Sequence, residues 1–337
     1  MRRRLGHGSR DFVSFLVGVI VGAGMILSGV VNIRQHMGAN GSAAALYGGY
    51  DEHPDVQVSH ASSWEQPQVY SFIKDLGCRK GHMDVPPILT SNGNGKVVVD
   101  IGLDAGDEFF AALEAGYSVY GIEANPLTVS KLRPKCENAT NFKCIYINAA
   151  NITDDGLPLI KDGGYLIEGG AGSARGVINM SLSGPGSSFV EVAPDIQARN
   201  LTPTYKEVTV IPLENIVKTD VFFFKLDVQG YEFEVLKGSK QLFLDYKVKT
   251  ILMEFYPRGL LAAKVNLTEF LNFLWDDLGM MCSSSNAGEK SFMSNHPNTF
   301  DKFAQYVQRL GELANGSGWW GTFDDFFCFN RKKTWHE

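Results

Sequence analysis

The chain has 337 residues, 44% of them hydrophobic and 20% charged, with a formal net charge of -6. That apolar share is enough to fill one large core or two small ones, and the negative balance excludes a nucleic-acid partner, which needs a basic face to collect phosphates. The 7 histidines show neither H-E-x-x-H nor paired-ligand spacing and the 5 cysteines form no C-x-x-C, so the sequence contains no legible metal site.

Phe12 to Val31 is an uncharged apolar run of 20 residues. At about 1.5 Å rise per residue a helix of that length matches the roughly 30 Å hydrocarbon core of a bilayer. Arg2, Arg3, Arg4 and Arg10 precede the run and only Arg34 follows it closely, a bias that holds the N-terminus in the cytoplasm and sends the rest across. The expectation is a cytoplasmic tail over 1–11, a transmembrane anchor over 12–31 and a type II topology, with the remainder in the Golgi or ER lumen or outside the cell. A cleaved signal peptide is the competing reading. Its apolar region would be about 7 to 15 residues, and the nearest small-residue cleavage site, Ser42 to Ala45, lies far past the run, which favours the anchor. Ser14, Gly18, Gly22, Gly24 and Ser28 give small-x-x-x-small spacing that would seat a second copy of the helix in a weak homodimer.

Residues 32–63 are rich in Gly, Ala, Ser and His without apolar periodicity and read as a flexible stem, with a folded domain over 64–337. A helix over 66–76 caps one edge, and Asn92-Gly93-Asn94-Gly95 marks the loop into the first core strand. Strands are then expected near 97–101, 118–122, 143–148, 221–226 and 249–254. Helices near 107–115, 126–134, 231–244 and 266–278 alternate with them. Such alternation calls for an α/β fold with a parallel sheet and helices on both faces. The stretch 151–205 interrupts it with glycine pairs and short extended pieces. It reads as an insertion, either a substrate-facing lid or a hairpin excursion that finishes the sheet.

The first strand runs into VVVDIGLDAGDE. Gly102 and Gly106 let backbone approach a ligand, and Glu123, about twenty residues on, stands where such folds place a carboxylate on ribose hydroxyls. The turn reads G-x-x-x-G, and Asp104 and Asp107 load it with negative charge, which suits a pyrophosphate badly. A cofactor without phosphates fits better. S-adenosyl-L-methionine carries a cationic sulfonium and an amino-acid tail, so Asp100, Asp104 and Glu123 can accept its hydroxyl and ammonium protons without repelling it. Asn148, at the end of the third strand, is either a neighbour of the adenine or a turn residue.

A third segment, DVFFFKLDVQGYEFEVLKGSKQLF, is an apolar strand that ends at Asp227 and re-enters as a helix. Asp227 is placed to accept an acceptor's hydroxyl proton, to hold the cofactor's ammonium group, or simply to cap the helix. Glu232 and Glu254 are further catalytic candidates, and Lys225 either pairs with an acid of the site or supports the sheet.

Together DIGLDAG, GIEANP and KLDVQGYE resemble the FkbM-like family of S-adenosylmethionine-dependent methyltransferases, with its D-[IV]-G-A-N-x-G, E-P-x-P and K-[IV]-D-V-E-G-x-E motifs, from about Lys96 to Pro257. Asp104 stands where the family has Asn, Gln229 where it has Glu, and Tyr231 where a small residue is common. The resemblance implies a Rossmann-like class I methyltransferase sheet. A helix near 299–313 and a strand near 323–329 would supply its antiparallel edge. Topology and resemblance together point to a membrane-anchored O-methyltransferase acting on a hydroxyl of a glycan or another secretory-pathway acceptor. The alternatives are an NAD-type oxidoreductase, against which the absent third glycine and KLDVQGYE weigh, and a non-catalytic binding module on the same fold.

Asn-x-Ser/Thr triplets occur at Asn40, Asn138, Asn151, Asn179, Asn200, Asn266 and Asn315, against roughly two by chance. The excess agrees with a glycosylated luminal protein. Cys136 with Cys144 and Cys282 with Cys328 are candidate disulfide pairs, with Cys78 left over; buried unpaired thiols are the alternative for each pair, and connectivity is not readable from sequence.

Overall fold

The apolar runs of the chain become β1 (Val97–Ile101), β2 (Ser118–Glu123), β3 (Lys143–Asn148), β4 (Gly163–Glu168), β5 (Gly170–Ala171), β6 (Gly176–Ser181), β7 (Tyr205–Ile211), β8 (Val221–Leu226), β9 (Val248–Phe255), β10 (Met280–Ser284) and β11 (Asp324–Asn330). Eight of them form one sheet in the order β10-β11-β9-β8-β1-β2-β4-β3, and the other three form a small sheet in the order β5-β7-β6. In the large sheet β11 is antiparallel to both of its neighbours, and every other pairing is parallel. β1 and β8 are buried along their whole length, as continuous apolar strands are when both faces of a parallel sheet are covered. The computed structural model describes residues 87–182, 202, 204–284, 297–316 and 324–331. The anchor, the stem, the 66–76 helix, Cys78, Asn40 and Asn200 lie outside the described residues. Among those described, no helix is long and apolar enough to cross a membrane.

The connecting helices are α1 (Asp107–Glu114), α2 (Pro126–Glu137), α3 (Glu232–Lys237), α4 (Lys240–Asp245), α5 (Pro257–Ala262), α6 (Leu267–Asn272) and α7 (Pro297–Gly316). On one face Phe109, Phe110 and Leu113 of α1 and Leu132 of α2 pack on Val98, Val119 and Phe223. On the other, Phe233, Phe270 and Phe303 pack on Val99, Phe224, Phe255 and Phe326. Each fully buried aromatic of this kind stabilises the fold by roughly 2–3 kcal/mol. Helices therefore cover both faces of a mostly parallel sheet.

Three elements differ from the expectation. Part of the 151–205 stretch enters the large sheet, because β4 lies between β2 and β3 and pushes β3 to the edge. Its two leading glycines make the wedge possible: a Cβ on Gly164 would lie 2.2 Å from the Val119 carbonyl oxygen, and one on Gly163 would lie 2.6 Å from that of Lys143. The helix expected over 231–244 is broken into α3 and α4 at Gly238, where a Cβ would fall 1.8 Å from the Gly172 carbonyl oxygen. The helix expected over 266–278 ends at Asn272 and continues as a wide π turn, Phe273–Asp277.

Both candidate disulfides are present. Cys136–Cys144 ties the end of α2 to β3 with a Cα–Cα distance of 5.2 Å, and Cys282–Cys328 joins directly opposed residues of β10 and β11 at 3.9 Å. The first closes a sequence separation of 8 residues and the second one of 46. Loop-closure entropy then assigns roughly 2.5 kcal/mol to the first and roughly 4 kcal/mol to the second. Urea denaturation of the two paired Cys→Ser variants should show the larger loss for Cys282/Cys328; equal losses would contradict this ordering.

Candidate functional site

The chain leaves β1 toward β2 and returns to β8 on the other side of β1. Open α/β sheets bind their ligands at such a reversal, outside the carboxyl ends of the strands. Register shows what stands there. Glu123 is opposite Glu168, and Glu168 is opposite Asn148. Ile101 pairs with Ile122 and with Leu226, and Leu226 pairs with Met253, so the next position along each strand gives Gly102, Glu123, Asp227 and Glu254. Glu254 is opposite Asp325. One row therefore crosses the carboxyl edge in the order Asn148, Glu168, Glu123, Gly102, Asp227, Glu254, Asp325.

Gly102, the gap in this row of side chains, has φ 86°, and a Cβ there would sit 1.7 Å from the Asp227 carbonyl oxygen. Only glycine lets the ends of β1 and β8 come this close. Gly106, also left-handed, begins α1 without a side-chain cap, and Asp104 between the two is exposed with φ 45°. Glu123 is buried and fixes the turn: Leu103 and Asp104 donate their backbone N–H to its Oε2 at 2.9 and 3.3 Å, and Asn125 donates to Oε1 at 2.6 Å. Burial pushes its carboxyl above the usual range against the pull of these three donors. Oε2 is filled by its two donors, and Oε1 keeps spare acceptor capacity for a ligand hydroxyl.

Glu168, which sequence reasoning missed, adds a second acid beside Glu123 and accepts a hydrogen bond from the Tyr146 hydroxyl, over whose ring the Arg133 guanidinium lies at 4.0 Å. A signal for it was available: GGYLIE repeats the pattern of SVYGIE, an apolar run ending in Glu. Asn148 lies two strands away from Glu123, and its side chain accepts from Ala150 N at 2.9 Å, capping the short turn Ala149–Asn151.

On the other side of the gap, Lys225 is the ammonium among the acids. It donates to the Gly102 carbonyl at 2.9 Å and lies 3.5 Å from Asp100 Oδ1 and 3.9 Å from Asp227 Oδ2. Burial alone would favour the neutral amine, but Asp100, Asp227, Glu108 and Glu254 outweigh it and hold the lysine above its ordinary value. Asp100 is buried with neither oxygen accepting a hydrogen bond, and burial pushes it up to about 7 despite Lys225. Asp227 keeps 14% of its side chain exposed. Gln229 donates to Asp227 Oδ1 at 2.9 Å and to Glu254 Oε2. Burial, then Asp227 and Glu232, push Glu254 well above the carboxylate range, and burial with Asp324 lifts Asp325 to about 6. Glu232, at the start of α3, is fully buried; it accepts Gly230 N on Oε1 at 3.0 Å and has no partner on Oε2.

The structure thus brings Asp100, Gly102, Glu123 and Asp227 together, with Glu232 behind them, and leaves Asn148 at a distance. An acid-rich edge with the Lys225 ammonium among its acids suits a cationic ligand. Among the described residues, no group of His, Cys, Asp or Glu has the geometry to hold a metal ion.

Comparison with known proteins gives a family. The family model described as the methyltransferase FkbM domain matches residues 100–281. No curated protein matches. Methyltransferase FkbM from Methylobacillus flagellatus is 16% identical with a TM-score of 0.37, over 57% of this chain and 40% of its own, so the present chain spans two fifths of that protein's length. A SAM-dependent methyltransferase from Methanosarcina mazei is 12% identical with a TM-score of 0.27, over 73% of this chain and 97% of its own.

Glu232 carries a pH signature. Burial raises it from 4.5 to about 8, so between those values the folded state holds a proton that the unfolded state has released. Its contribution is intact below about pH 4.5 and is lost as pH rises through about 8. Glu232→Gln keeps an acceptor for Gly230 N and removes the titration. The variant should gain stability over the parent as pH rises across this window, by on the order of a few kcal/mol, in paired denaturant titrations at pH 5 and pH 8.5. A gap independent of pH would contradict the assignment.

Proposed function

Because the chain belongs to the FkbM methyltransferase family, we propose that it is an S-adenosyl-L-methionine-dependent methyltransferase acting on oxygen, with a hydroxyl-bearing acceptor. The observation that carries this reading is the acid row divided by Gly102. Glu123 and Glu168 on the β2 side are the acids for ribose hydroxyls, while Asp227 on the β8 side meets the acceptor or the cofactor's ammonium group. Gly102 and Gly106 keep the space between them free of side chains. When bound, the sulfonium supplies an activated methyl group for in-line displacement by the acceptor oxygen.

Most of the chain's own contribution is then positional. Asp227, partly open to solvent and tethered by Gln229, receives the acceptor's hydroxyl proton as the new bond forms. The buried Lys225 keeps neighbouring acids together without itself standing in the opening. Asp100 beneath the gap pairs with Lys225 and holds it in place.

The setting we infer is a type II membrane protein anchored by residues 12–31, where the small-residue stripe also supports a weak homodimer, with the catalytic domain luminal and the acceptor a glycan or another secretory-pathway hydroxyl. Two disulfides suit an oxidising compartment. Asn138, Asn151, Asn179 and Asn266 are exposed, as glycan acceptors must be.

Calorimetry on the full chain in detergent should show binding of S-adenosyl-L-methionine and none of NAD. Glu123→Ala should weaken that binding about tenfold or more, and Asp227→Asn should lower turnover by roughly 10²-fold or more once an acceptor is found. Binding of NAD, or of neither compound, would overturn the reading. Separately, glycosidase digestion of protein from secretory-pathway cells should lower its mass, and an unchanged mass would sink the luminal placement.

A further inference from the structure

Gln229 occupies the one place in the row where two acids are joined through a neutral group. Its backbone is left-handed, φ 53°, and Gly230 after it has φ 98°, with the Gly230 backbone so near Gly259 that a Cβ would lie 2.6 Å from the Gly259 Cα. A non-glycine residue in that region costs about 1 kcal/mol or more and persists where surrounding contacts impose it. Here Glu232 Oε1 holds Gly230 N, and the turn folds the Gln229 side chain back over the strand ends. One nitrogen, Nε2, then gives its two hydrogens to two carboxylates, Asp227 Oδ1 at 2.9 Å and Glu254 Oε2. Asp227 Oδ2, on its other side, looks toward Lys225 Nζ at 3.9 Å.

We propose that Gln229 is a positioning residue for methyl transfer: its amide bridges Asp227 and Glu254 and holds them as one unit through a neutral donor. The proposal rests on the methyltransferase reading for its purpose, though not for its geometry. The charged groups around the pair come from every element packed on it: Lys225 of β8, Asp100 of β1, Glu108 of α1, Glu232 of α3 and Asp325 of β11. Only the lysine is positive among these, so a donor without charge relieves the pair while adding no second cation near a sulfonium. The residue common in FkbM-like motifs at this position, glutamate, has no hydrogen to give when ionised. In its place three carboxylates would crowd one spot, and they would keep a proton among them to do so. The chain's glutamine instead gives the pair a donor and adds no third carboxylate.

The test uses the full chain, ¹³C-labelled at Asp and Glu carboxyls, with Asp227 and Glu254 assigned through Asp227→Asn and Glu254→Gln. The variants compared are Gln229→Glu, Gln229→Met and Gln229→Gly. Gly accepts the left-handed backbone without strain, so it separates loss of the amide from loss of the turn. The pH at which the Asp227–Glu254 pair takes up its proton should rise in all three variants, by about one unit or more in Gln229→Glu and by less in Met and Gly. An unchanged midpoint in Gln229→Gly, with the folded spectrum retained, would overturn the proposal, as would an unchanged midpoint in Gln229→Glu. S-adenosyl-L-methionine affinity is measured on the same samples at pH 9. Its absence from the parent protein would refute the methyltransferase reading, while the carboxyl titration would still decide the role of Gln229.

Discussion

The buried ammonium of Lys225 is the interaction on which the carboxyl edge of this sheet depends. It is 3% exposed and shares its surroundings with Asp100, Asp227, Glu108 and Glu254. A lone charge in such a place would cost several kcal/mol, and so would each acid without a counter-ion. The lysine also donates to the Gly102 carbonyl, so the charge that reconciles the acids is fastened to the turn that separates them. Its neutralisation of the cluster is incomplete by design of the chain: Asp100, Glu232, Glu254 and Asp325 all lie above the ordinary carboxylate range, with burial the leading cause in each. The edge keeps an unmet demand for positive charge, which is the electrostatic argument for a cationic ligand.

Geometry converts that demand into a site. Gly102 has to be glycine because the Asp227 carbonyl fills the space of a side chain, and the same constraint leaves a gap in an otherwise continuous row of polar side chains. Glu123 faces this gap from one side with its carboxylate already fixed by three backbone N–H groups, so a ligand meets an acceptor whose orientation costs nothing further to set. Asp227 faces it from the other side, tethered by Gln229.

Much of this was legible because it depends on local chemistry. Strand endings in acid, the glycine turn and the interval to Glu123 are short-range patterns, and the five core strands fall close to where alternation puts them. Helix–strand and strand–strand adjacency named the two candidate cysteine pairs, and the structure joins both. What escaped was long-range. Gly163 and Gly164 carry the usual marks of a loop, and nothing nearby reveals that their missing side chains admit Val119 and Lys143 backbone on either side. Gly238 in the same way looks like a tolerated helix residue until Gly172 is brought against it. The burial that lifts Asp100 and Glu232 depends on elements distant in sequence, and no spacing rule contains it.

The entry of β4 between β2 and β3 also changes what stands beside Glu123. Had β3 paired directly with β2, Asn148, a neutral residue, would have stood opposite Glu123. With β4 between them the neighbour is Glu168, and Asn148 caps a turn two strands away. The insertion therefore supplies an acid to the row as well as a strand to the sheet, and the Tyr146 hydroxyl donates to that acid. A pair of carboxylates presents acceptors to both hydroxyls of a vicinal diol, whereas a carboxylate beside an amide presents a mixture of donors and acceptors. The two leading glycines of β4 are then as much a part of the row as the acid at its end, since without them the strand could not enter and Glu168 would not stand beside Glu123.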